Sequence, residues 1–402
     1  MAIKYEAYTR TGEKVEGVLD TDSEEAAYGM LEEEELIPHR LRAVRKLPSL
    51  VRMAPSLFKP KPKDVIDFST QLSSLLVSGI PLRRAIMVLR DQTKNLGLKD
   101  ALRQILDDLE GGSRFSDAFA RHTVVFPEFY LRLLKVGEGT GGIPLTLNQL
   151  TDNLTRRKAV TDKVRSALVY PAISLVVAVI AGFVLVTYTL PSLTSLLTEY
   201  GGELPRTTQI LILISNFLQS YGLFIIAPVI AITFLVGITM RTEPVKRTHD
   251  RIMLKMPVVG QVTLYSNMFY LTTTLSTLLK AGVPSIEALK LTEDGLGNSK
   301  LRDSLSEVTR NASEGMRLGE AFESQRVFPS ILAQAIVTGE IRGGLGDTLT
   351  GLAQYYEEVT DRSLSGATEL IQPAIILLVS GLVGFVAIAI ISGIYSTLGT
   401  IG

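Results

Sequence analysis

Four glycines fall within six positions at residues 137–142, in the run Lys135-Val136-Gly137-Glu138-Gly139-Thr140-Gly141-Gly142-Ile143-Pro144. Glycines at that density beside a basic residue suggest a phosphate cradle, in which backbone N–H groups at a helix N-terminus hold an anion. Such a cradle follows a strand. Here the preceding residues, Phe126 to Val136, read as a helix: Pro127 suits a first turn, and Phe129, Leu133 and Val136 share one face at helical spacing. No Lys-Ser or Lys-Thr follows the glycines, and no dinucleotide fingerprint is completed. The run therefore reads as a helix end and a tight turn into the next helix, with glycine supplying left-handed backbone.

Other chemistry is as thinly represented. There is no Cys, which excludes disulfides, thiolate catalysis and Cys-based metal sites. His39, His122 and His249 lie in different segments without ligand spacing, and no paired carboxylates or Ser/His/Asp set stands out. Lys and Arg balance Asp and Glu at 41 each, so nothing global argues for nucleic acid. No enzyme activity, cofactor or metal is expected.

The elements that carry these residues are partly apolar beyond what a soluble chain needs. Mean hydropathy is +0.26 with 20% charged residues, which points to a membrane protein with substantial soluble parts. Three stretches exceed the roughly 20 apolar residues that cross a bilayer. They place spans at about 167–190, 221–240 and about 370–395, with a loop and an interfacial helix over 191–220. Arg156, Arg157, Lys158, Lys163 and Arg165 precede the first span, and Arg241, Lys246, Arg247, Arg251 and Lys255 follow the second. The loop between carries only Arg206, so the soluble mass and the N-terminus are cytoplasmic and the loop is outside. The first residues, MAIKYEAYTR, lack an apolar signal core, and export by a cleaved peptide is not expected.

The chain also repeats itself. LSSLLVSGIP at 72–81 matches LSTLLKAGVP at 275–284, a shift of 203 that pairs Gly79 and Pro81 with Gly282 and Pro284. Gly112, Ala118 and Phe119 recur as Gly315, Ala321 and Phe322. After one dropped residue, Phe126-Pro127 recurs as Phe328-Pro329 at a shift of 202. Gly137, Glu138, Gly141 and Gly142 then recur as Gly339, Glu340, Gly343 and Gly344, and Pro171 as Pro373. In the second copy Ile341 and Arg342 replace Gly139 and Thr140, and a branched side chain there would block close approach to a phosphate. What persists is what a corner between helices requires. Apolar periodicity predicts about six helices per repeat, the last running into the membrane. Two such repeats in one orientation need an extra span between them, which the middle stretch provides. Residues 1–46 differ: alternation, a Thr11-Gly12 turn, a Ser23-capped helix over Glu24–Leu36 and a third strand give a ββαβ unit. A Pro-rich linker covers 47–63.

Taken together, the chain resembles the PilC/GspF family of inner-membrane platform proteins. The motifs are LSSLLVSGIPLRRAI with LSTLLKAGVPSIEAL, FPEFYLRLLKVGEGTGG with FPSILAQAIVTGEIRGG, and the pairs Tyr170-Pro171 and Gln372-Pro373. The resemblance implies a mostly α integral membrane protein with GspF domains at 64–190 and 266–392. It implies a non-catalytic platform of a type IV pilus or type II secretion machine in the bacterial inner membrane. Its partners would be a cytoplasmic hexameric ATPase, pilins or pseudopilins, other inner-membrane assembly proteins, membrane lipid and further copies of itself. Relatives are said to hold calcium through an acid near the glycine corner, where only Glu138 corresponds; helix capping is the reading favoured. The charged openings after the Gly-x-Pro corners make Arg83, Arg84 and Glu287 candidate partner contacts. A transporter built from parallel repeats is the alternative, though its site would need polar or broken helices at mid-membrane. Topology is open to a direct check: a reporter fused at Gly202 is expected to read periplasmic and one at Glu293 cytoplasmic, and a cytoplasmic signal at Gly202 would overturn the arrangement.

Overall fold

The computed structural model describes residues 2–8, 14–20, 28–29, 37–44, 58–185, 187, 209–210, 213, 216–217, 220–221 and 242–401, and it is mostly helical. The chain divides into two compact units, residues 1–68 with 79–126 and residues 69–78 with 127–402.

In the first unit, β1 (Ala2–Tyr8) lies between β2 (Lys14–Asp20) and β3 (Ile37–Val44) and runs antiparallel to both. Ala2 stands opposite Asp20 on one side and Val44 on the other. The β1–β3 register shifts between Glu6 and Ala7, where Arg40 and Pro38 are their partners and His39 is the extra residue. Proline cannot donate to a ladder, so an edge strand next to a bulge is where it fits. Of the helix expected over Glu24–Leu36, only Tyr28 and Gly29 are described, both helical; the Thr11-Gly12 turn lies outside the described residues.

Helix α1 (Pro62–Val77) begins inside the segment read as linker, because proline at a first helical position loses no hydrogen bond. Its residues through Phe68 belong to the first unit and Ser69 onward to the second. The first unit continues with α2 (Leu82–Gln92), α3 (Leu96–Glu110) and α4 (Phe115–Ala120). Leu98, Leu102, Ile105 and Leu106 are buried on one stripe of α3, and the Asn95 side chain accepts from the Leu98 N–H at 2.9 Å to start that helix. The Phe119 ring centres an aromatic cluster, 4.7 Å from Phe115, 4.9 Å from Phe126 and 6.3 Å from Phe68.

The second unit holds α5 (Glu128–Gly139) and α6 (Ile143–Val184), then α7 (Glu243–Lys255), α8 (Val259–Lys280), α9 (Ser285–Glu293), α10 (Ser299–Ser313), α11 (Leu318–Glu323), α12 (Ser330–Arg342) and α13 (Leu345–Ile401). The shift of 203 and 202 pairs α1–α6 with α8–α13, six helices in each repeat. Asn298 caps α10 as Asn95 caps α3. Helix α7 precedes the second repeat, in the stretch that the sequence reading gives only as the basic flank of the middle span. Helix α8 is apolar or hydroxylated all round and buried on most faces, from Met268 to Leu278, as a central helix must be. Helices α6 and α13 are long and apolar enough to cross a membrane. The middle span expected at 221–240 lies outside the described residues beyond Tyr221.

Every positive-φ glycine among the described residues belongs to a repeat pair: Gly79 with Gly282, Gly112 with Gly315, and Gly141 with Gly343, at φ 70–99°. At the last pair the stop is one motif made twice. The Gly142 N–H donates to Gly137 O at 2.8 Å and the Gly141 N–H to Glu138 O at 3.2 Å; Gly344 and Gly343 do the same with Gly339 O and Glu340 O at 3.1 and 3.3 Å. Gly142 is different. Its φ is −99°, and an added Cβ would come no closer than 3.5 Å to Thr140 Oγ1. The left-handed residue is thus Gly141 alone, a correction to the expectation that both glycines turn the chain. Between α7 and α8, Val258 has φ 69° and ψ −61°, and the Val259 N–H bonds Pro257 O at 2.8 Å. A β-branched residue in that γ-turn is strained.

These conformations fix opposite outcomes for small substitutions. Gly141→Ala or Gly343→Ala should cost about 1–2 kcal/mol, and Gly142→Ala less than about 0.5 kcal/mol. Val258→Gly should be neutral or stabilising. Thermal unfolding of the detergent-solubilised full chain reads all four; equal losses at Gly141 and Gly142 would contradict the corner geometry.

Candidate functional site

The glycine corner has no N–H groups to offer an anion. Thr140 N–H donates to Val136 O at 3.0 Å, and the Gly141 and Gly142 N–H groups are committed to Glu138 O and Gly137 O. Gly137 is glycine for space, since a Cβ there would lie 2.3 Å from Thr146 Oγ1 on α6; at Gly339 it would lie 3.0 Å from Leu345 Cα. The corner locks one helix against the next.

The acid beside the corner is a cap. Glu340 Oε1 accepts from the Leu318 N–H and Oε2 from the Gly319 N–H, both at 3.0 Å, at the start of α11. A carboxylate there satisfies two donors that the helix leaves unpaired and meets the positive end of its dipole. Glu138 is the sequence counterpart. Among the described residues no group of three His, Cys, Asp or Glu is placed to hold a metal. Another carboxylate, this one buried, caps as well: Asp250 Oδ2 accepts from the Ser299 N–H at 2.7 Å. Burial opposes its charge, but the Ser299 N–H together with neighbouring His249 outweighs it and holds the carboxyl below the usual range.

Pro81 and Pro284 precede α2 and α9 in extended conformation, at φ −56° and −57°, so each stands as the residue before the helix rather than inside it. The three partner-contact candidates separate at this point. Arg83 and Arg84 are exposed in the first turn of α2, where Arg83 pairs with Glu110 at 2.7 Å. Glu287, the counterpart of Arg84, is turned inward onto Arg132 of α5 at 2.7 Å, with both side chains only about one-third exposed at 32% and 37%. Pro171 and Pro373 lie inside α6 and α13, which continue through them.

The Arg132–Glu287 pair opens a junction between the repeats. Further along α6, Asn153 is 2% exposed, and its Nδ2 donates to Thr273 O at 3.2 Å and Thr277 Oγ1 at 2.9 Å, both on α8. One turn on, the Arg157 guanidinium lies 3.9 Å from the Tyr270 ring centre and 4.8 Å from that of Phe129. Burial lowers its pKa, partly offset by Tyr270, and the two rings offer attraction that keeps the cation in place. Then Arg156 meets Glu357 at 3.7 Å and Lys163 meets Asp361 at 2.6 Å. The partners advance together along α6 and α13, so these helices run parallel. A cavity of about 200 Å³ lies between α6, α8 and α13, lined by Asn153, Arg156, Thr273, Lys280, Thr350 and Gln354 among others. Each repeat also carries the same buckle: Ser73 Oγ bonds Pro144 O at 3.1 Å and Asn148 Oδ1 at 2.8 Å, and Ser276 Oγ lies 2.8 Å from Gly346 O and 2.7 Å from Thr350 Oγ1.

Arg132, Asn153, Arg157 and Tyr270 carry no repeat signal because they differ between the copies, and Thr273 recurs as Thr70 without any mark of its buried role. Comparing copies for likeness hides them; comparing for difference would have found Asn153 against Tyr355 and Arg157 against Val359.

A duplicated helical bundle, each copy ending in one apolar helix, with its acids and glycines spent on caps and corners, defines a structural membrane protein. The chain belongs to the type II secretion system protein F family. The family model described as "Type II secretion system (T2SS), protein F" matches twice, at residues 68–191 and 271–393, and that of the family's N-terminal domain matches residues 4–42. The two matches start 203 residues apart and end 202 apart, the shifts of the internal repeat. Similar proteins include type IV pilus assembly protein PilC of Thermus thermophilus, 30% identical over 99% of this chain and 98% of that one. PilC of Myxococcus xanthus is 29% identical over 99% and 95%. Type II secretion system protein F of Vibrio cholerae is 25% identical over 96% of each.

Proposed function

We propose that the chain is the inner-membrane platform of a type IV pilus or type II secretion machine. In this reading it couples a cytoplasmic hexameric ATPase to the insertion or extraction of pilins or pseudopilins and performs no chemistry of its own. The relatives named for both machines support the setting. The observation that carries the mechanism is the pair of unbroken helices α6 and α13, of 42 and 57 residues. At 1.5 Å per residue these reach about 63 and 85 Å, long enough to join a water-facing corner to lipid without an intervening loop. A load applied at the corners of either repeat therefore reaches the bilayer through backbone hydrogen bonds rather than through flexible chain. Three membrane helices, with the third at 221–240, place both repeats and the ββαβ unit in the cytoplasm. Neighbouring inner-membrane assembly proteins and further copies of the chain complete the platform.

For the ATPase contact, Glu287 drops out because Arg132 engages it, and the exposed first turn of α2 remains. Arg84→Glu should leave insertion and thermal stability unchanged, since surface substitutions usually stay within about 0.5 kcal/mol. ATPase co-purification and filament assembly should fall several-fold. A variant that inserts normally and keeps full ATPase association would move the contact elsewhere, with the acidic run Glu32–Glu35 as the next surface to test.

A further inference from the structure

The junction inside the chain joins unlike faces. Repeat one contributes Arg132, Asn153 and Arg157 from α5 and α6; repeat two contributes Tyr270, Thr273 and Glu287 from α8 and α9. A heterologous contact of this kind consumes one face of each repeat and leaves the other face of each open. The repeat shift identifies the open faces. Thr273 and Thr274 are 8% and 0% exposed, whereas their counterparts Thr70 and Gln71 are exposed. Phe129 and Asn153 are 3% and 2% exposed, whereas their counterparts Ile331 and Tyr355 are 41% and 43% exposed.

We propose that a second copy of this chain docks head to tail here, the Ile331/Tyr355 face of one molecule covering the Thr70/Ser74 face of the next. The contact repeats between molecules what already joins the repeats within one. Tyr355 stands where Asn153 stands, opposite the position of Thr70 and Ser74, the counterparts of Thr273 and Thr277. Ile331, the counterpart of buried Phe129, offers apolar surface on the same face. Geometry favours a second copy over an unlike partner for a further reason. Because α6 and α13 run parallel, the operation that carries α6 onto α13 keeps the direction in which the chain enters its apolar half. Applied again, it leaves the next copy pointing the same way, in the same bilayer. The inference rests on the platform reading only for the membrane setting and for self-association; the choice of faces comes from the repeat junction.

The chain has no cysteine, so the contact can be probed with single engineered ones. Full-length Ser74→Cys and Tyr355→Cys, differently tagged, are co-expressed and oxidised in native membranes; Asn153→Cys with Thr277→Cys in one chain is the internal control for the same spacing. A disulfide needs Cβ atoms about 3.5–4.5 Å apart, so the mixed pair should give a product carrying both tags, at least about tenfold above either variant alone. Thr70→Cys with Tyr355→Cys is a second pair that keeps the test intact should one variant misfold. Crosslinking of Ser74→Cys with itself would mean a two-fold contact and overturn the head-to-tail arrangement. A complex heavier than one 43.9 kDa chain with neither mixed product would also overturn it while leaving self-association standing. Single-chain mass with no crosslink would remove self-association itself.

Discussion

Asn153 is where α6 is held against the central helix of the second repeat. Its amide is almost wholly removed from water and donates both to a backbone carbonyl and to a hydroxyl of the helix at the centre of the other repeat. A buried amide with those partners contributes about 0.5–1.5 kcal/mol net; Thr277 Oγ1 also donates to Thr273 O at 2.8 Å, so the amide ties together two groups already paired within their own helix. Around it the other terms are individually small: half-exposed ion pairs worth about 0–1 kcal/mol each, and a guanidinium between two rings. Together they bring α6 against α8 and run α6 beside α13, and the parallel course of the two apolar helices follows. The polar seam holds the two long apolar helices side by side without a covalent link.

Much of the architecture was legible because duplication writes the same constraint twice. A glycine that recurs with a Gly-Glu four residues before it is under a geometric demand, and Gly141 with Gly343 meets it at φ 71° and 70°. Likewise Asn95 and Asn298 cap equivalent helices, and the apolar stripe of α3 is visible at three- and four-residue spacing. Where the chain departs from repetition the sequence is nearly silent. Gly142 recurs as Gly344 yet neither has the left-handed backbone, because recurrence alone does not separate a conformational demand from common descent. Helix α7, with Thr242 ahead of a Pro-led, acid-first turn, carries a start signal of ordinary strength that was absorbed into the basic flank of the middle span. Glu287 reads as a free surface acid in one dimension; only the fold brings Arg132, 155 residues away, against it.

The two repeats have diverged in a directed way. At matching positions one copy keeps small hydroxyls and an inward acid where it meets its partner, and the other keeps exposed threonine, serine and arginine. The corners and buckles that shape each bundle are retained in both, as Ser73 with Pro144 and Ser276 with Gly346 illustrate. Shape has been conserved between the copies and surface chemistry has been reassigned, as expected of a duplicated bundle whose halves meet different neighbours.

The central claim is that the seam at Asn153 binds α6, α8 and α13 into one mechanical body, and hydrogen exchange on the full-length chain in detergent tests it most directly. Comparing the native chain with Asn153→Ala, the account predicts that backbone protection falls together in three segments: α6 around residues 150–160, α8 around residues 270–280, and α13 around residues 350–361. A loss of protection confined to α6, with α8 and α13 exchanging as before, would contradict it.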